Sequence, residues 1–565
     1  MVGPNGNRSD SRNFVCNLLD SSPRTGSLLF VRQHDDNGEK KIHDFRTGLV
    51  NRLIRAQGSE ESKEASPVWA KVLDHTRCIG CHACTTVCKS ENSVPLSVTR
   101  TYVKYVDVGR YPETRRSFQV TRCNQCSSAP CVPACPTSAM YARPDGIIDF
   151  DKASCIGCKA CIAACPYDAI FINPEDKSAE KCNFCAHRLD VGLEPACVVV
   201  CPTQAILVGD MTDPLSKVTQ IIAREPVTVR KPEKGTRPKV YYKGASNMTL
   251  DPLAAKRPPG GLFMWSEQNT DPHKVTSGHP GTQNSSAAAV LSYDVSHSVP
   301  WDWRVGLYTW TKSIAAGAYI VPVLLMLLGL MSTNSPTWNI STPLLGTALL
   351  AVTGGLLIWD LEHPERFYMI FTRPQWNSWL VRGGLVIGAY GAVLVLHGAL
   401  SWIGEGTLQR KIAWIGFPLA VMTAIYTAYL FAQAKARDLW QNPLLPIHFF
   451  VQAVLAGAGV LALASRWVDR ESVEVLISSF QIASVLHLCM VFGELSLPHG
   501  SAHERLAVDE ILKGQFKNLF WLSTLLSFLG LLAPAIGVVA LIFGLVGLAI
   551  YEHVYVQAGQ VVPLA

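Results

Sequence analysis

The stretch Cys78–Cys88 reads CIGCHACTTVC, and a near copy, CIGCKACIAACP, runs from Cys155 to Pro166. Both space four cysteines as C-x2-C-x2-C-x3-C. Two further quartets, Cys123/Cys126/Cys131/Cys135 and Cys182/Cys185/Cys197/Cys201, bring 16 of the 18 cysteines between Cys78 and Cys201. The last three quartets end in Cys-Pro. Thiolates are soft ligands, suited to zinc or to iron–sulfur clusters.

Structural zinc sites usually pair C-x2-C units across a longer loop. Three cysteines within seven residues, then a fourth before proline, is instead the spacing that bacterial ferredoxins use for 4Fe–4S clusters. Three close thiolates wrap three corners of the cube, the chain leaves as a helix, and the fourth cysteine reaches the neighbouring cluster. Zinc ribbons and disulfides are the competing uses, and fourfold repetition of the motif disfavours both. His82, Lys159 and Lys181 stand beside cysteines as candidates for tuning potentials or as plain surface residues. Cys16 and Cys489 stand alone as ordinary small residues.

The 565-residue chain is 48% hydrophobic with a net charge of +6. That charge is weak and scattered, and no basic run with interleaved aromatics suggests nucleic acid. Residues before Trp301 are polar or cysteine-rich, and those after it form long apolar runs. The opening MVGPNGNRSDSRNFV lacks the apolar core of an export signal. Thr114–Phe118 (TRRSF) imitates a twin-arginine signal with no apolar segment behind it. Residues 231–300, rich in Pro, Gly, Ser and Asn, read as an irregular strap.

From Val68 to Lys243 the quartets resemble the four-cluster iron–sulfur subunits of molybdopterin oxidoreductases, similar to those of dimethyl sulfoxide, polysulfide and nitrate reductases and formate dehydrogenase. RCNQCSSAPCVPACPTSAM, GIIDFDKASCIGCKACIAACPYDAI and KCNFCAHRLDVGLEPACVVVCPTQAI carry the likeness. The resemblance implies four ligand sets: Cys78/Cys81/Cys84 with Cys201, Cys182/Cys185/Cys197 with Cys88, Cys123/Cys126/Cys131 with Cys165, and Cys155/Cys158/Cys161 with Cys135. Some relatives lose a cysteine of the third quartet and hold three irons. Cys158 is present here, so four 4Fe–4S clusters are expected.

Eight apolar stretches follow, near 306–331, 342–359, 379–402, 412–431, 444–464, 473–492, 516–532 and 535–550. Each is about long enough to span a bilayer, and an even number puts both ends on one side. Arg304, Arg366, Arg373, Arg382, Lys435, Arg437, Arg505, Lys513 and Lys517 fall on the cluster-domain side, against Arg410, Lys411, Arg466 and Arg470 on the other. That bias places the cluster domain in the cytoplasm, the periplasm being the alternative because many relatives work there.

WDWRVGLYTWTKSIAAG, IWDLEHPERFYMI, YTAYLFAQAKARDLW and EHVYVQAGQ resemble the NrfD/PsrC family of quinone-reactive membrane anchors, which commonly lack haem. The Asn, His and Tyr that line the quinone site of the polysulfide reductase anchor fall on Val305, Tyr308 and Tyr426. Tyr308 can still donate a hydrogen bond; Val305 cannot. Lys312 shares a helix face with Tyr308 at i+4 and can relay a proton. Ionisable groups at membrane depth are functional candidates by default. Asp360, Glu362, His363 and Arg366 read either as a salt-bridge knot at the interface or as a proton-uptake site, with Arg382 a candidate partner. Two facing histidines could hold a haem, but His397, His448 and His487 show no recognisable pair spacing.

The expected architecture is therefore an α+β ferredoxin-like iron–sulfur domain (tandem dicluster ferredoxin) followed by an all-α eight-helix transmembrane bundle. The divisions are an N-terminal extension 1–67, a cluster domain 68–230, the strap 231–300 and the membrane domain 301–565. The expected function is electron transfer between a separate molybdopterin catalytic subunit and membrane quinone, menaquinone or ubiquinone, in a prokaryotic inner membrane. A multihaem-cytochrome or hydrogenase partner, with or without coupled proton translocation, is the alternative. The clusters, quinone site residues Tyr308, Lys312, Asp360, His363 and Tyr426, and no catalytic residue of its own complete the expectation.

Overall fold

A residue before proline is driven out of the helical region. In the computed structural model, Cys135 and Cys165 accordingly take ψ values of 118° and 114°, ending the short helices Cys131–Ala134 and Ala160–Ala164. At the other end of the motif, His82 and Lys159 sit at φ 60° and 61°, in the left-handed region. They turn the C-x2-C loop into helices Ala83–Glu91 and Ala160–Ala164, each carrying the third cysteine inward. The motif's loop and helix are thus written by single residues at its two ends.

The structure describes residues 33–34, 40–41, 66–108, 112–255, 289–297 and 299–564. Most of the expected extension 1–67, with Cys16, lies outside them. Within the cluster domain, Trp69–Asp74 is flanked by Ile206–Asp210, antiparallel, and by Val240–Lys243, parallel. Thr101–Val108 pairs antiparallel with both Arg115–Arg122 and Ala289–Tyr293. The segment 231–300 is therefore more than an irregular strap. Alternation in Val240–Lys243 and Ala289–Tyr293 lets each bury one face against an existing strand, a signal masked by the Pro- and Gly-rich composition around them. The TRRSF stretch enters a strand, where Arg116 grips Asp107 at 2.7 and 2.8 Å.

The membrane half contains α1 (Trp303–Leu327), α2 (Thr342–Trp359), α3 (Trp379–Ile403), α4 (Gly406–Gln433), α5 (Leu445–Val468), α6 (Val473–Ser496), α7 (Lys517–Gly530) and α8 (Val538–Val561). Among the described residues, seven helices are long and apolar enough to cross a membrane. The expected count of eight included Phe516–Leu532. There the helix α7 stops at Gly530 after 14 residues, about 21 Å against a hydrocarbon core of about 30 Å. Its continuation is broken by Gly537 at φ 61°. Hydropathy counted apolar residues through a break it cannot see.

Burial ranks the helices: 78% of the most apolar window of α1 is buried and 67% of that of α5, against 22% for α3. The two buried helices cross where Gly317 meets Gly457. A Cβ on Gly317 would lie 1.8 Å from the Ala453 carbonyl oxygen. Small residues at membrane crossings allow this close approach. Both ends of the membrane half return to the cluster domain: Trp301 Nε1 donates to the Cys158 carbonyl at 3.2 Å, and Arg230 Nη2 donates to the Leu564 carbonyl at 3.4 Å.

Replacing Gly317 by Ala should lower the thermal midpoint in detergent by the equivalent of about 1–3 kcal/mol of overpacking or more. Gly355→Ala, whose Cβ meets nothing within 4 Å, should not.

Candidate cluster sites and membrane site

Extended Cys135 and Cys165 point away from their own helices, and the four quartets meet crosswise. Cys78, Cys81, Cys84 and Cys201 line one cavity, and Cys155, Cys158, Cys161 and Cys135 line another. Cys88 neighbours Cys182, Cys185 and Cys197. Cys131 neighbours Cys123, Cys126 and Cys165. Among the described residues no three such side chains converge on a point that would suit one metal ion. Donors spread around a cavity suit a polynuclear group instead.

The surrounding charge fits such a group. Lys71 and Arg122 are buried at 0% and 1% exposure, and they donate to Cys197 Sγ at 3.7 and 3.2 Å. Two further nitrogens of Arg122 find no hydrogen-bond partner among the described residues. Buried cations need opposite charge beside them, and thiolates of a bound cluster provide it. Burial pushes the Cys197 thiol up, but Lys71 and Arg122 outweigh it and hold it at about 7. Burial and neighbouring thiols push Cys84 up to about 11 and Cys126 to about 12. Metal binding must therefore release protons at these positions. Backbone N–H groups of Met140, Ala179 and Ala205 donate to Cys135, Cys155 and Cys201 at 3.4, 3.3 and 3.2 Å. Of the sequence's tuning candidates, Lys181 is buried and bonds the Ile148 and Cys182 carbonyls, while the His82 ring packs edge-on against Tyr105 and Tyr293.

The third quartet's loop sits on the membrane domain. Gly157, at φ 68°, lies so close that a Cβ would meet Glu362 Cβ at 2.4 Å. The His363 backbone N–H donates to the Ile156 carbonyl at 3.2 Å, and Trp301 Nε1 to the Cys158 carbonyl at 3.2 Å. Ile156, Cys158, Ala160 and Ala163 share one hydrophobic cluster with Val305, Tyr308 and Phe431. Lys159 reaches Glu362 at 2.9 Å and Asp360 at 3.8 Å, and Arg304 reaches Asp360 at 3.5 Å. Burial nevertheless pushes the Asp360 carboxyl up to about 6. Arg366 donates to the Lys152 and Cys155 carbonyls and Arg373 to Ser154. The acidic cluster is thus a docking knot, with His363 Nε2 2.9 Å from the Asp176 carbonyl oxygen. Arg382 pairs with none of these acids; it binds the Trp376 carbonyl.

Deeper in the membrane half, Tyr308, Lys312 and Tyr426 come together. Lys312 Nζ donates to Thr427 Oγ1 at 2.7 Å and to the Ala424 carbonyl at 2.9 Å, 5.1 Å from the centre of the Tyr426 ring. Gly383 makes room for that ring, since a Cβ there would meet it at 2.4 Å. Asp360 and His363 belong to the knot above this group. Sequence reasoning missed Glu552, Glu494, Lys71 and Arg122, and it left the contact of His448 with His487 unread. A lone acid inside an apolar run was the available signal for Glu552.

These features define a ferredoxin-type iron–sulfur protein joined in one chain to a multi-pass membrane domain. Residues 75–98 match the 4Fe–4S binding domain, 114–211 the 4Fe–4S dicluster domain and 292–563 the family described as polysulphide reductase, NrfD. A tetrathionate reductase subunit of Salmonella typhimurium is 42% identical over 215 residues, 37% of this chain and 85% of that protein. A polysulfide reductase polypeptide of Wolinella succinogenes is 45% identical over 176 residues, 31% of this chain and 92% of that one. The iron–sulfur subunit of an arsenate respiratory reductase from a Shewanella species is 34% identical over 219 residues, 30% and 94%. The protein belongs to this family of electron-transferring iron–sulfur subunits, here fused to an NrfD-type membrane region.

Lys159→Met should strand Glu362 without its cation and leave Asp360 to Arg304 alone, at a cost of about 3 kcal/mol. Faster proteolytic release of the cluster domain would report it. His297 bonds Asp168 at 2.5 Å and Asp294 at 3.2 Å. Burial alone would lower its pKa, but these bonds raise it from 6.5 to about 9. Its stabilisation is then fully present below pH 6.5 and lost as pH rises through about 9. His297→Gln should flatten the fall of thermal midpoint across that window.

Proposed function

We propose that the chain carries electrons between a separate catalytic subunit and membrane quinone through four 4Fe–4S clusters. The proposed ligands are Cys78/Cys81/Cys84/Cys201, Cys88/Cys182/Cys185/Cys197, Cys123/Cys126/Cys131/Cys165 and Cys135/Cys155/Cys158/Cys161. Bound clusters supply one-electron transfer; the chain's own residues hold them, screen their charge and fix their spacing. The seating of the Cys155–Cys161 loop on α1 and α2 carries the proposal, since electron tunnelling needs a short final step. Tyr308, Tyr426 and Lys312 are the proposed quinone-binding group, with the phenol hydroxyls as donors to a quinone carbonyl.

The catalytic partner is proposed to hold molybdopterin, because the relatives named for tetrathionate, polysulfide and arsenate reductases are subunits of such enzymes. α7 with the following turn Ala533–Ile536 is proposed to complete an eighth traverse, which the return of both ends to the cluster domain supports. The host membrane is proposed to be a prokaryotic inner membrane. Orientation with the cluster domain in the cytoplasm follows from the basic residues that do not dock it. Arg366 and Arg373 do dock, leaving seven on that side against four on the other.

The protein should be purified gently from its native membranes, its companions identified by mass spectrometry, and the sample assayed for metals. The proposal expects a stoichiometric pterin subunit with molybdenum or tungsten, and about 16 iron atoms per chain for four cubanes. A cytochrome or hydrogenase partner without either metal would overturn the choice of partner. Iron near half that content would overturn the four-cluster assignment.

A further inference from the structure

Several ionisable groups buried in the membrane half take no part in carrying electrons. His448 of α5 places Nδ1 at 3.1 and 3.2 Å from the two carboxylate oxygens of Glu494 on α6, and Nε2 at 2.9 Å from His487 Nδ1. The Tyr551 ring of α8 packs against both imidazoles. Its neighbour Glu552 is 3% exposed. One Glu552 oxygen lies 3.3 Å from Ser313 Oγ, while the other has no hydrogen-bond partner among the described residues.

His448, Gln452, Tyr551 and Glu552 line one small cavity, and Gln452 Oε1 is also unpartnered among the described residues. About 10 Å³ there is available to the centre of a water molecule, roughly the room one water needs. Such a water would have Gln452 and Glu552 as partners and would lie beside His448, whose own two nitrogens face Glu494 and His487. Lys312, one residue before Ser313, reaches Thr427 and the Tyr426 ring. At the other end, α6 closes at Ser496 beside exposed Leu497 and Pro498. This is the cluster-domain face: the next segment bonds through Ser501 to Asp438, which also pairs with Lys234.

We propose that Glu494, the His448–His487 pair, Glu552 and Lys312 form a proton route from the cluster-domain face to the quinone group; it rests on the quinone reading above. Reducing a quinone to a quinol takes two electrons and forms two O–H bonds. The electrons come from the cluster side, and the two protons come along this route. Oxidation reverses both, breaking the O–H bonds and releasing the protons to the same face. Imidazole suits the work because it can accept on one nitrogen while donating from the other. Buried ionisable groups in a membrane domain are costly, and a pathway gives them a use.

Among the described residues, the groups facing this line come from α1, α8 and the segment after α6. Glu494 is near Tyr551 and Tyr555 of α8, and Tyr555 is near Glu504, which in turn pairs with His499. Glu552 is faced by Thr309, Lys312 and Ser313 of α1. The sequence's own candidate for proton uptake, Asp360, is instead held in the docking knot by Lys159 and Arg304.

The test uses the full chain in its native membranes, with menadiol as the electron donor, a water-soluble one-electron dye as the acceptor and a fluorescent hydroxyquinoline N-oxide as the binding probe. Glu494→Gln and Glu552→Gln should each slow turnover about tenfold or more, as loss of a proton-transfer group does. N-oxide affinity and the cluster EPR signals, which also report that the variants fold, should stay unchanged. Small weak acids should restore turnover in Glu494→Gln, at the outer end of the route. Turnover within about twofold of wild type in both variants would overturn the route. So would N-oxide binding that falls in step with turnover, which would make these residues walls of the binding site. If the unaltered protein neither accepts electrons from menadiol nor binds the N-oxide, the quinone reading itself fails, and the route with it.

Discussion

The architecture depends on one contact: the Cys155–Cys161 loop lying on the loop after α2. Gly157 permits it, because its left-handed backbone and missing side chain let the chain come within touching distance of Glu362. Lys159 then adds its ammonium to the acids of that loop. Around these polar bonds, Ile156, Cys158 and Ala163 continue the hydrophobic cluster of α1 and α4. A soluble fold and a membrane fold share a core at this point. The distance between redox group and membrane is set by packing and not by the reach of a linker.

Charge is managed differently on the two sides of that contact. The cluster domain buries cations such as Lys71 and Arg122 against sulfur. The membrane half buries acids and imidazoles against one another. Each pattern is expensive unless the missing charge is supplied. In the proposed function, electrons on sulfur-bound iron would meet fixed positive charge, and protons moving toward a quinone would meet groups able to hold them. The two halves thereby separate the two carriers that quinone chemistry must reunite.

Much of this was legible in the sequence because it is written locally. Cysteine spacing and the prolines after Cys135 and Cys165 dictate loop, helix and exit within a dozen residues. Seven of the apolar runs became the long helices α1 to α6 and α8, since hydropathy over such lengths needs no tertiary information. Features built between distant segments were not legible. Strand Val240–Lys243 lies parallel to Trp69–Asp74 from the far end of the domain, and the shortness of α7 was not legible because its break depends on backbone geometry around Gly537. Tyr308, Lys312 and Tyr426 were found through motif position and helix periodicity. Glu494 was missed because only folding sets it against His448, while Asp360 and His363 were read as candidates for the membrane site although they serve the interface.

The most direct measurement is rapid-freeze EPR of the full chain in its membrane, after mixing with menadiol, compared with the variant Cys158→Ser. The first cluster signal to change should be the one altered by that substitution, and Tyr308→Phe should delay it. A first response from the cluster assigned to Cys78, Cys81, Cys84 and Cys201, with the Cys158-dependent signal following, would contradict it.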